Sequence, residues 1–177
     1  MPAYGERWGR HWLDVAGYAD SNGGPRDTPR LGAWHYRDYV VRSLNANKPW
    51  DQFIQEQLAG DELAGLHHGN AAEVLADPQQ WDRIAATGFL RMAPDSTEDS
   101  PADPVLAKES VVVDNLKVIG SSLLGLTIGC AQCHDHRFDP VSHVDYHRLR
   151  AILEPSFHPG DWRYPSQRTY EAYTEAE

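Results

Sequence analysis

Gly129 to Pro140 reads GCAQCHDHRFDP and holds both cysteines of the 177-residue chain, Cys130 and Cys133, followed by His134 and His136. Cys-x-x-Cys-His is the attachment signature of c-type haem. Two thioether bonds along one edge of a haem need two closely spaced sulfurs, and the next residue can then bring its imidazole under the iron. Three other arrangements suit the same residues. Cys130, Cys133, His143 and His147 read C-x2-C-x9-H-x3-H, and two thiolates with two imidazoles would close a tetrahedral zinc site, although the gap of nine is shorter than in usual fingers. A C-x-x-C pair can also cycle between dithiol and disulfide, but no strand leading into a helix provides a thioredoxin-like setting. Finally, the cysteines can be buried or oxidised, with the histidines merely on the surface.

A haem held by His134 has a second axial position, filled by His or Met in many electron carriers. His11 is one candidate. It lies between Trp8 and Trp12 on a helical face expected to turn inward, where a histidine should be neutral and partnered. Met92 is the other, with core filling as its commoner role. His136 is too close to His134 to reach the far side of the same iron and is expected to orient a propionate or the loop. Asp135 and Asp139 suit capping of the next helix or bonding to an imidazole. His67, His68 and His35 read as exposed. Asp14, Asp20, Glu109 and Asp114 read as ion-pair partners for Arg7, Arg10 and Arg37. No general acid–base dyad, phosphate loop or nucleophile elbow is present.

The elements that must position these residues read as helices. Trp8, His11, Trp12, Val15 and Tyr18 recur at threes and fours within a helix from Pro2 to about Asp20. A Gly- and Pro-rich loop, Ser21 to Gly32, separates it from a helix over Trp34 to Asn45. Pro49 suits the first turn of another, to about Gln57. Gly60 to Pro78 is soft, and Gln79 to Leu90 is a short helix. Ala93 to Pro104 is an acidic loop whose Asp and Pro content argues against packing. Val105 to Leu126 is the strongest helix, with Val112, Leu116, Ile119, Leu123 and Leu126 as its stripe, although Val111 to Val113 also suits a strand. A last helix covers Val141 to about Glu154. The sequence thus predicts a mainly α, single helical domain with long loops over residues 1–157, and an irregular extension over 158–177.

A net charge of −10 disfavours nucleic acid and anionic membrane as partners. No apolar run reaches the ~20 residues of a membrane span. No secretory signal precedes the first helix.

Four stretches, YGERWGRHWLDVAGYADSNG, WHYRDYVVRSLNANKPWDQFIQEQLAGDEL, IAATGFLRM and LLGLTIGCAQCHDHRFDPVSHVDYHRL, resemble in this order the planctomycete-type cytochrome domain family. The resemblance covers roughly Tyr4 to Phe157. It implies covalent haem c on Cys130, Cys133 and His134, an exported, periplasmic or cell-surface location, and excision from a longer multidomain protein. Redox proteins or adjacent domains of that larger chain would be the partners. Gly17 replaces the family's usual Arg, which would remove a salt bridge or propionate contact. His147 stands where Tyr is commoner, so the resemblance lends the zinc arrangement little support. The expected function is a monohaem c-type cytochrome domain for single-electron transfer, with His11, or failing that Met92, on the iron with His134. The alternatives are a haem enzyme with an open distal site and a zinc-stabilised interaction module.

Overall fold

Asp77-Pro78 and Asp103-Pro104 each begin a helix in the same way. The Asp carboxylate accepts two backbone N–H groups of the first turn, from Gln79 and Gln80 in one case and Val105 and Leu106 in the other. Proline follows where its missing N–H costs nothing. In the computed structural model, which describes residues 2–67 and 69–168, the helices are α1 (Pro2–Ala16), α2 (Ala33–Asn45), α3 (Trp50–Leu63), α4 (Ala71–Ala76), α5 (Pro78–Ala86), α6 (Pro104–Ile119) and α7 (His143–Leu153). Short 3-10 turns cover Thr87–Arg91, Ile128–Gln132 and Glu154–Phe157. Among the described residues there is no strand, only one antiparallel bridge from Ser21 to Pro29. The mainly α, one-domain expectation holds, and Val111 to Val113 are helical. Helix α4, inside the soft segment, was not expected.

The inner face of α1 is not the one that the aromatic spacing suggests. Gly5, Gly9 and Ala16 are buried, with Leu13 and Trp12 partly so. Gly5 and Gly9 let α1 lie directly on α2: a Cβ at Gly5 would sit 2.3 Å from the Val41 carbonyl oxygen. Trp8 and Val15 are about half exposed, and His11 is exposed with its ring beside Trp8. The expectation of an inward His11 is therefore corrected. Trp12 turns in and donates to the Tyr36 hydroxyl (2.9 Å) and Gln57 Oε1 (3.0 Å). The helix ends at Ala16 because Gly17, at φ +71°, makes the left-handed C-terminal turn, with Tyr18 N–H bonded to the Leu13 carbonyl.

The core gathers Tyr36, Tyr39, Phe53, Phe89, Leu116 and Tyr146. Within it Val112, Leu116 and Ile119 of α6 are buried as their spacing requires. The expected continuation of that helix to Leu126 fails. Gly120–Leu124 is a π-helical turn ended by Gly125 at φ +65°. A Cβ at Gly120 would lie 2.5 Å from Ile128 Cγ1, so the glycine admits the chain as it folds back.

The acidic loop is also packed, against expectation. Asp95 and Thr97 are buried, and Asp95 takes an ion pair from Arg168 at 2.6 Å. Trp162 Nε1 donates to Thr97 Oγ1 at 3.3 Å. The described part of the C-terminal extension holds two further 3-10 turns, Pro159–Asp161 and Pro165–Gln167, and it is fastened onto the domain. Residues 169–177 of that extension lie outside the described residues.

Candidate functional site

The 3-10 turn Ile128–Gln132 is anchored from beneath. Ile128 and Ala131 are buried, and the turn packs on both α6 and α7. Cys130 and Cys133 are free thiols and exposed. His134 is exposed too, with Nδ1 2.7 Å from the Asp135 carbonyl oxygen. A carbonyl only accepts, so Nδ1 carries a proton, and in the neutral ring the lone pair is then on Nε2. The Asp135 carboxylate accepts the His143 N–H at 2.8 Å. One residue thus holds the orientation of His134 and ties it to the first turn of α7, whose Ser142–Asp145 capping box fixes that end.

His136 organises the loop between them. Its side chain is 4% exposed. Nδ1 accepts from the N–H groups of Phe138 (3.2 Å) and Asp139 (2.8 Å), so the ring proton lies on Nε2 and donates to Thr127 Oγ1 at 3.0 Å. Both ring nitrogens are engaged, which leaves His136 a positioning residue.

The remaining candidates are scattered. Met92 is buried at 4% exposure in the core cluster that also holds Ile128 and Ala131. His143 and His147 meet, with their Nε2 atoms 3.0 Å apart. The four residues of the zinc arrangement do not converge: among the described residues no three His, Cys, Asp or Glu side chains come together as metal ligands would. His35 is not exposed as expected. It stacks on Trp34 and meets Trp81 edge-on, and burial pushes its pKa down. His67 is exposed, and His68 lies outside the described residues. The expected ion pairs are replaced by Glu109–Arg150 (2.5 Å), Asp114–Lys117 (2.8 Å) and Arg37–Asp38 (2.9 Å), while Asp20 accepts from the Tyr18 hydroxyl. A groove of about 620 Å³ between α1 and α2 is lined by Arg10, Tyr18, Arg37 and Arg42 among others, and by no residue of the cysteine motif.

Tyr146 escaped the sequence reading because its α7 position looks like ordinary core. It is 1% exposed, and its hydroxyl has no hydrogen-bond partner among the described residues. Burial raises its pKa. Tyr146→Phe is therefore expected to leave stability unchanged or to raise it, by up to about 1–3 kcal/mol, since it removes a desolvated group that nothing satisfies. Chemical denaturation reads this directly. A loss above about 1 kcal/mol would mean that the hydroxyl has a partner after all.

The fold and the motif define a small helical domain with an exposed Cys-x-x-Cys-His turn. Residues 1–157 match the family model PSCyt2: Protein of unknown function (DUF1549), and the chain belongs to that family. No curated protein and no solved structure matches it.

Proposed function

We propose that this domain is a monohaem c-type cytochrome that passes single electrons. The reading rests on one local arrangement: two free, exposed thiols at Cys-x-x-Cys spacing, beside a histidine whose Nδ1–H is spent on a backbone carbonyl at 2.7 Å. That donor set fits covalent haem. Cys130 and Cys133 would hold the ring edge, and His134 would offer Nε2 to the iron, its ring oriented through the neighbouring carbonyl as is usual for ligating histidines. When bound, haem c supplies a one-electron iron couple. The exposure of the turn favours exchange across the surface, with a redox protein or an adjacent domain of a larger chain, over an enclosed catalytic chamber. An exported, periplasmic or cell-surface location goes with the reading, since haem c is normally attached outside the cytoplasm. No helix among the described residues is long and apolar enough to cross a membrane.

For the sixth position, His11 is exposed on α1 with its ring beside Trp8, whereas Met92 is buried in the core. His11 is therefore the residue we assign, although the burial argument for it is gone. The test is expression with cytochrome c maturation machinery, followed by denaturation, extraction with acidified solvent and mass measurement. The mass is expected to exceed that of the bare chain by one haem. A bare-chain mass sinks the proposal. In the loaded protein His11→Ala should turn a low-spin spectrum high-spin, while Met92→Leu should cost only packing, up to about 1.5 kcal/mol. The reverse pattern would assign Met92. A high-spin unmutated protein would mean an open position and favour the haem-enzyme reading.

A further inference from the structure

Helix α7 carries a second arrangement that the cytochrome reading does not use. His143 and His147 stand four apart, so their side chains share a face. Their Nε2 atoms are 3.0 Å apart, with the ring planes at 77°. Both belong to a helix whose start is doubly fixed, by the Ser142–Asp145 capping box and by the Asp135 carboxylate on the His143 N–H. The pair is at the surface, so a hydrated ion can reach it.

At 3.0 Å the two Nε2 atoms are hydrogen-bonded, one N–H to the other's lone pair, so the rings already converge on one point. A cation that takes the place of the shared proton can hold both nitrogens at once, and the i, i+4 spacing keeps them adjacent. Imidazole ligands suit copper(II) and nickel(II), and copper(II) heads the affinity order of the first-row divalent ions. We infer that His143 and His147 form a two-imidazole chelate for a late first-row divalent cation, copper(II) first and nickel(II) next. Among the described residues no third His, Cys, Asp or Glu joins them, so water completes the coordination. The cysteine thiolates that a closed zinc centre would need take no part. Fixing both imidazoles on one rigid face makes binding of the second nitrogen intramolecular, which is the source of its affinity.

The experiment titrates copper(II) alone into the full chain with both thiols alkylated, so that they cannot take the metal. Calorimetry counts the sites, and electron paramagnetic resonance reads the nitrogen ligands. One ion per chain with two imidazole nitrogens is expected. His147→Ala and His143→Ala should each weaken it about 10²-fold, the advantage of the linked second ligand, while His67→Ala should leave it unchanged. Nickel(II) should bind the same pair more weakly than copper(II). None of the replaced residues is buried, and circular dichroism verifies that each variant is folded. An affinity that survives His147→Ala within twofold, or a spectrum with fewer than two imidazole nitrogens, overturns the inference. Since none of these readouts involves haem, failure here leaves the cytochrome proposal standing, and the reverse also holds.

Discussion

Glu56→Ala is expected to destabilise the domain by about 3–5 kcal/mol, the usual cost of removing one partner from a buried ion pair. Glu56 on α3 is 3% exposed and carries three donors. The Tyr39 hydroxyl lies at 2.8 Å and Gln52 Nε2 at 2.9 Å, and the Lys48 ammonium completes the set. Lys48 Nζ also lies 4.7 Å from the centre of the Tyr39 ring. Without the carboxylate, a lysine with a side chain only 17% exposed loses its counter-ion. Burial alone would push the Glu56 carboxyl up. The hydrogen bonds from Lys48, Tyr39 and Gln52, with the Lys48 charge, outweigh it and hold the carboxyl below its ordinary value. A folded-state pKa below the unfolded one gives stability that is complete above the unfolded carboxylate range and lost as pH falls through the folded value. Denaturant curves at neutral pH and at successively lower pH check both points. The gap between Glu56→Ala and the unmutated chain should narrow with acid. A neutral-pH cost below about 1 kcal/mol, or a gap that does not narrow, would contradict the assignment.

Tyr39 and Lys48 also mark what the sequence could and could not disclose. The spacing of Tyr36, Tyr39 and Val40 identifies the buried face of α2, because large apolar residues at helical period carry most of the area that folding removes from water. The same rule misleads on α1. There the contact is made by Gly5 and Gly9, which bury little area themselves and work by letting two backbones approach. Hydrophobic spacing follows Trp8 and Val15 to the solvent side and takes His11 with them. The glycines at four-residue spacing were the available signal, and a pattern search for large residues passes over it.

The motif region was legible for a different reason. Cys130, Cys133 and His134 are contiguous, so their proximity needs no tertiary structure. What surrounds them was less so. His136 as a loop organiser follows from crowding beside His134, but its contact with Thr127 depends on the chain folding back after the π-helical turn at Gly120. That turn in turn depends on Ile128 packing where a Cβ would otherwise sit. The acidic loop was misread because its partner, Arg168, lies 73 residues from Asp95. Local composition cannot report a charge supplied from so far along the chain. The spacing of His143 and His147 puts them on one face, and only coordinates show their rings joined by a hydrogen bond of 3.0 Å.

Gly60→Ala is the other substitution with a large expected effect, and it tests how closely two helices approach. Gly60 is buried on α3, one residue after Ala59, whose φ of −145° and ψ of 33° interrupt the helix. A Cβ at Gly60 would lie 2.0 Å from the Arg83 carbonyl oxygen and 2.9 Å from its carbon. Both atoms belong to the α5 backbone, so no side-chain rotation relieves the overlap. Helix α5 must move as a body. It is tied to the end of α3 by Arg83, whose guanidinium donates to the Leu63 carbonyl at 2.9 Å, and to α2 by Arg42, paired with Asp82 at 2.5 Å. The expected cost is about 3 kcal/mol or more, at the upper end of what overpacking produces. Gly65→Ala provides the comparison. Gly65 has a φ of +66° and nothing within 4 Å of its added Cβ, so only left-handed strain of about 1–2 kcal/mol opposes it. Thermal and denaturant unfolding of the two variants should therefore rank Gly60→Ala as the more damaging. If the order is reversed, the helices are not in backbone contact at Gly60. In that case the break at Ala59, and not the missing side chain beside it, is what seats α3 on α5.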